Sequence, residues 1–217
     1  MISDITKSQL EKLTIDANRP LIICDVDEVV VHFIRDFETF IAAKGLFLVP
    51  GDPNQPYEVR QKSTTQPLST DNVFQLVNDY FIERTRNMIA IAGAVEGLKS
   101  FANRACVVML TNLPHYAGDD RRANLAEFGL NYTVITNSGP KGPAIANLAA
   151  RTTHPVVFID DSSSYLQSAY DHAPHLEFVH FLHDERFAKH APNLEFANFR
   201  TDNWTDVETH ISRLLKA

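Results

Sequence analysis

"PLIICDVDEVVVHF", the stretch from Pro20 to Phe33, sets Asp25, Asp27 and Glu28 inside a run of Leu, Ile, Cys and Val. An unpaired carboxylate in an apolar core is expensive. The acids therefore mark where a buried strand ends. Three comparable apolar runs follow, at Ala105–Leu110, Tyr132–Ile135 and Val156–Ile159, with weaker ones at Phe178–Leu182 and Phe196–Arg200. Most are continuous rather than alternating, as expected of strands covered on both faces. Segments with helical spacing separate them: Ala94–Asn103, Asp120–Phe128, Pro143–Ala150, Ser162–His172 and Trp204–Leu215. Strands alternating with helices predict a doubly wound α/β fold with a parallel sheet.

The spacing breaks once. About eighty residues separate the first strand from the second, where ~12–20 suffice for a crossover. The middle of that stretch, "PGDPNQPYEVRQKSTTQPLST", is rich in Pro, Gln, Ser and Thr and reads as loop. Helical patterns flank it at Phe33–Lys44 and Asp71–Met88, the second with Ser69, Thr70 or Asp71 available as N-cap. The division predicted is a core of residues 1–30 and 93–217 carrying a small, mostly helical inserted cap at 31–92.

Composition narrows the function. The chain has 217 residues, 44% of them hydrophobic and 22% charged, with a formal net charge of −7. Without a basic stripe, nucleic acid is not expected as a partner. No apolar run reaches the ~18 residues of a membrane span, and the N-terminus lacks the pattern of a secretory signal. Cys24 and Cys106 both sit in apolar runs and read as free thiols. A cytoplasmic enzyme of small molecules is the expectation.

In an open α/β sheet, ligands bind beyond the carboxyl ends of the strands. The first strand is followed there by Asp25 and Asp27, the second by Thr111 and Asn112, the fourth by Asp160 and Asp161; "GPKGP", with Lys141, precedes the helix that leads to the fourth. Four carboxylates at one edge repel one another unless positive charge sits among them. A hard divalent cation taking oxygen ligands answers that need, and Mg²⁺ is the expected one. A carboxylate beside Mg²⁺ and Lys can attack phosphorus. A second carboxylate two residues on can protonate the leaving oxygen and then activate water.

In order and position these residues resemble the motifs of the haloacid dehalogenase-like (HAD) hydrolase superfamily. "IICDVDEVV" is similar to its first motif, "VVMLTN" to its second, "GPKGPAI" to its third and "VVFIDDSSS" to its fourth. The resemblance covers roughly Leu21–Asp27 and Ala94–Ala173. It implies a Rossmann-like core with an inserted C1-type cap. It makes Asp25 the nucleophile, Asp27 the general acid/base, Thr111 the phosphate-binding hydroxyl and Lys141 the charge-stabilising lysine. Asp160 and Asp161 would lie near Mg²⁺, which Asp25 and the Asp27 carbonyl would also hold.

Two positions depart from that pattern. Glu28 stands where Gly is commonest, and Tyr165 stands four residues after Asp161, where Asp or Asn is usual. A carboxylate at Asp27 distinguishes phosphatases and phosphomutases from dehalogenases in that superfamily. The reaction implied is Mg²⁺-dependent hydrolysis of a small phosphorylated metabolite. A phosphomutase and a non-catalytic binding domain are the alternatives. Substrate contacts are expected from Asn112, Glu28, Arg35 and His115, with Thr111 and Lys141. Further candidates at the cap edge and beyond the second motif are His32, Arg60, Lys62, Arg84, Arg86 and Tyr116.

Overall fold

The apolar run that opens the chain's pattern is a central strand, buried along its whole length and paired on both sides. The computed structural model describes residues 2–52 and 55–216. Its elements in chain order are α1 (Asp4–Lys12), β1 (Leu21–Cys24), α2 (Ile34–Ala42), β2 (Leu46–Asp52), β3 (Gln55–Gln61), α3 (Thr70–Arg84), α4 (Ala94–Ser100) and β4 (Cys106–Thr111). Then come α5 (Gly118–Glu127), β5 (Thr133–Thr136), α6 (Gly142–Ala149), β6 (Val156–Asp160), α7 (Ser163–His172), β7 (Glu177–Phe181), α8 (Glu185–Ala188), β8 (Phe199–Thr201) and α9 (Trp204–Leu214).

Six strands form one parallel sheet in the order β5-β4-β1-β6-β7-β8. Leu21 pairs with Cys106 on one side and Val156 on the other, and Cys24 with Met109 and Ile159. Successive side chains of a strand point to opposite faces. Here both faces are core, which is why the runs are continuous. Ile22, Cys24, Met109 and Ile159 pack with Leu98, Leu125 and Val207 of α4, α5 and α9. Leu21, Ile23, Leu110 and Phe158 pack with Leu10, Ile145 and Leu166 of α1, α6 and α7. The fold is therefore the expected doubly wound α/β sandwich.

The segment between β1 and β4 is less helical than its composition suggested. The stretch read as loop holds β3 and the end of β2, which pair as an antiparallel hairpin. Leu48 and Val59 face each other across it and are both buried, and Tyr57 pairs with Pro50. A two-stranded ribbon has an outer edge on each strand, so a proline can sit in it without removing a ladder bond. The apolar alternation was diluted by Pro, Gln and Glu, and composition outweighed it. Helix α3 starts at the first of the three N-caps considered: Ser69 Oγ accepts from the Asn72 amide. Cys24 and Cys106 are free thiols. No helix among the described residues is long and apolar enough to cross a membrane.

Strand order reverses at β1. The chain moves from β1 to β4 and β5 on one side, then returns to β6 on the other. Such a switch point opens a crevice at the carboxyl ends of the strands.

Candidate active site

Asp25 follows β1, Thr111 ends β4, Asp160 ends β6, and Lys141 stands at the first turn of α6. The position of Lys141 depends on its neighbour. A Cβ added to Gly142 would lie 2.1 Å from the Ser168 carbonyl oxygen. Only glycine lets α6 approach α7 this closely. The Gly142 amide also donates to Ser168 Oγ at 3.0 Å.

Lys141 is fully buried. Its Nζ donates to Asp25 Oδ1 at 2.6 Å and to Asp160 Oδ2 at 2.7 Å. Burial pushes the ammonium toward neutrality, but Asp160 and Asp25 outweigh it and hold its pKa above the ordinary lysine value. The same ammonium lies 4.8 Å from the centre of the Tyr165 ring. The residue that departs from the motif thus contributes a π face to Lys141 in place of a carboxylate. Asp160 Oδ1 accepts from the Ser162 amide at 2.8 Å.

One ammonium does not balance this cluster. Carboxylate oxygens of Asp25, Asp160 and Asp161 lie within 4.8 Å of one another. Burial, reinforced by Asp160 and Asp27, raises the Asp25 pKa to about 7 against the pull of Lys141. Burial also raises that of Asp160, and burial with Asp160, Asp25 and Glu28 raises that of Asp161. Three crowded acids, each reluctant to ionise, form an all-oxygen donor set short of positive charge. That is the chemistry of a hard-cation site.

Asp27 is held from both sides. Thr111 Oγ1 donates to its Oδ2 at 3.1 Å, and Arg121 Nη2 donates to its Oδ1. Arg121, on α5, is fully buried, and its Nε and Nη1 have no hydrogen-bond partner among the described residues. Sequence reasoning passed over Arg121 because two arginines stand together at 121 and 122. Its spacing from Leu125 put it on the buried face of α5, and that was the available signal. Replacing Arg121 with Met removes the counter-charge of Asp27, whose side chain is 18% exposed. The expected cost is about 2 kcal/mol of stability, largely recovered in the Arg121→Met/Asp27→Asn double variant. Urea unfolding of the two single variants and the double variant checks this, since additive losses would contradict a coupled pair.

Glu28 has a backbone explanation. Its φ is +62°, the left-handed conformation that glycine adopts freely and other residues at a cost of about 1–2 kcal/mol. The side chain offsets the strain. Its Oε2 accepts from the amides of Phe33 and Ile34, at 3.0 and 2.8 Å, at the start of α2. These are orphan donors of a helix N-terminus, where negative charge is favoured. Glu28 therefore ties the loop after β1 to α2. Burial raises its pKa to about 7, against the two amides.

A cavity of about 550 Å³ opens over the carboxylates, lined by Asp25, Asp27, Glu28, Asn112 and Asp161 at its floor. Thr111, Lys141 and Asp160 are fully buried and do not line the cavity; Thr111 bonds Asp27, and Lys141 bonds Asp25 and Asp160. Two further expected substrate contacts are not brought there either. Arg35 is on the exposed face of α2. His115 Nδ1 lies 2.6 Å from Thr136 Oγ1 and its Nε2 3.2 Å from Ser3 Oγ, so the ring ties α1 to β5. Proximity in sequence to Thr111 said nothing of which way the ring turns.

No family model matches the chain, and no curated protein sequence matches it. Solved structures do. A haloacid dehalogenase-like protein from Agrobacterium tumefaciens matches with a TM-score of 0.60 at 14% identity, over 91% of this chain and 99% of that one. A HAD family hydrolase from Deinococcus radiodurans, solved with bound phosphate and sodium, matches at 0.57 and 14%, over 92% and 97%. A candidate HAD hydrolase from Bacillus subtilis, solved with magnesium, matches at 0.55 and 13%, over 90% and 99%. The fold is that of the haloacid dehalogenase-like hydrolases.

Proposed function

We propose that the chain is a Mg²⁺-dependent phosphatase working through an aspartyl phosphate on Asp25. The observation that carries the reading is the Asp25–Lys141–Asp160 bridge beside Asp161 and Asp27. Lys141 occupies Asp25 Oδ1, which leaves Oδ2 for attack on phosphorus. The P–O bond to the leaving group breaks as the new bond forms, and Asp27, entering this step in its protonated form, gives the departing oxygen that proton. Asp27 then takes a proton from water, which displaces phosphate from Asp25. Thr111 and Arg121 orient Asp27 for both transfers. Asp25, Asp160 and Asp161 would hold Mg²⁺, which when bound would neutralise the cluster and the phosphoryl oxygens. Dehalogenases share this fold, but loss of halide needs no proton, and a positioned Asp27 favours phosphoryl chemistry.

The test is release of inorganic phosphate from p-nitrophenyl phosphate with Mg²⁺, and its loss on chelation. Absence of turnover on that substrate and on a broad phosphate panel would end the reading. Metal affinity should depend on pH in a defined direction. The ionised carboxylates bind the cation, and Asp25 titrates at about 7. Below that pH a proton must leave Asp25 before Mg²⁺ enters, and the raised Asp160 and Asp161 act in the same direction. Mg²⁺ affinity should therefore rise by about tenfold or more from pH 6 to pH 8. Calorimetry in buffers of different ionisation enthalpy would count the released proton at pH 6, and a pH-independent affinity would contradict the scheme.

A further inference from the structure

Beyond the carboxylate floor, the cavity changes character. Its walls come from four elements: Phe33 and Ile34 at the start of α2, Tyr57 on β3, Phe81 on α3, and Phe187 on α8. The Phe33 ring centre lies 5.8 Å from that of Phe81 and 6.5 Å from that of Tyr57, so these three rings form a connected aromatic cluster. Among the described residues lining the cavity there is no lysine or arginine. Beyond the floor the acid and imidazole groups that line it are Asp184, His183 and His190, while Arg186 turns away to Asp184 and Glu38. The buried cations, Lys141 and Arg121, are already engaged by Asp25, Asp160 and Asp27.

This lining discriminates among phosphate esters. A leaving group bearing a second phosphate or a carboxylate would meet Glu28 or Asp184 with no lysine or arginine free to receive it, and only the imidazoles of His183 and His190 as partners. Like charges so placed cost several kcal/mol. An aromatic ring instead finds rings to pack against, in offset or edge-on contacts. The volume lies in the usual range for small-molecule sites.

We infer that the substrate is the phosphate monoester of an aromatic alcohol, with no anionic group besides the phosphate to be transferred. The inference rests on the phosphatase reading above and names its substrate class. The aromatic walls hold the leaving group while the carboxylate floor and Lys141 act on the phosphate.

The test compares kcat/KM of the wild-type protein with Mg²⁺ on 2-naphthyl phosphate, phosphoglycolate and fructose 1,6-bisphosphate. The aryl ester should lead the two anionic esters by about a hundredfold, the equivalent of one unfavourable charge contact. Val77, on α3, lines the same cavity, and Val77→Lys supplies the missing cation. It should narrow the ratio by about tenfold, mainly by lowering KM for phosphoglycolate. Should that variant fail to fold, Phe187→Leu serves instead, lowering kcat/KM for the aryl ester by more than for phosphoglycolate and so narrowing the ratio. Hydrolysis that favours the anionic esters would overturn the substrate class and leave the phosphatase reading standing. A ratio unmoved by the variant that folds would likewise overturn it. No hydrolysis of any ester would overturn both.

Discussion

Asp25→Asn should leave a folded protein whose phosphate release is lower on the order of 10³-fold or more, the scale expected when a nucleophile is removed from a group that acts as a unit. The loss should fall on kcat, because the amide cannot form the acyl phosphate. Folding should survive for a reason specific to this site. Burial and the neighbouring acids already make the Asp25 charge costly, as its pKa of about 7 records. An amide oxygen can still accept from Lys141 at the position of Oδ1. The substitution therefore removes repulsion toward Asp160 and Asp161 while retaining one hydrogen bond. Thermal unfolding without metal should show a midpoint equal to or above that of the wild type at pH 8. Stabilisation by Mg²⁺ should shrink, since one of three carboxylates is gone. A variant that is folded and retains more than a tenth of wild-type turnover would remove Asp25 from the nucleophile's role.

What the sequence made legible, and what it hid, divides along physical lines. The sheet was readable because strands buried on both faces have no polar alternation to confuse them, as in Leu21–Cys24 and Val156–Asp160. The candidate site was legible because ligands of such a fold collect beyond the strand ends. Asp25, Asp27, Asp160 and Asp161 could therefore be named as candidates from their place after apolar runs, and Lys141 from its place before the helix that leads to the fourth. Three things were hidden because they depend on direction rather than position. The β2–β3 hairpin depends on which side chains turn inward, and its prolines masked Leu48 and Val59. Arg121 depends on the rotation of α5, which carries it under Asp27 while Arg122 turns to Asp119. Glu28 depends on a positive φ that no local spacing announces. The cavity wall was out of reach for another reason. Phe33, Tyr57, Phe81 and Phe187 are far apart in the chain, and only the packing of the hairpin and α3 over the sheet edge assembles them.

Lys141→Met should produce the largest loss of stability of any single substitution at this site, about 3–5 kcal/mol at pH 8 without metal. The side chain is fully buried and is bonded to two carboxylates that are themselves buried. Methionine fills much of the space beside Tyr165 but leaves Asp25 and Asp160 facing each other uncompensated. The sign of the pH dependence follows. Lys141 lowers the pKa of both acids in the folded protein, against burial. Without it, both rise further above their unfolded value, which for either acid is 3.8. A group whose folded pKa is raised favours the folded state at low pH, and that contribution is lost as pH rises through the folded value. The variant should therefore be closest to wild type near pH 5, where the folded protein keeps protons on the pair. It should fall away steadily toward pH 8. Lys141 itself, with a pKa above the ordinary lysine value, stays charged across this window and gives the wild type no matching slope. Adding Asp160→Asn should return more than half of the loss at pH 8, because one buried charge disappears while the Ser162 amide keeps an acceptor. Urea unfolding at pH 5 and pH 8 measures all of this. Equal losses at the two pH values would mean that packing around the lysine stem, and not the charge bridge, is what Lys141 contributes to the fold.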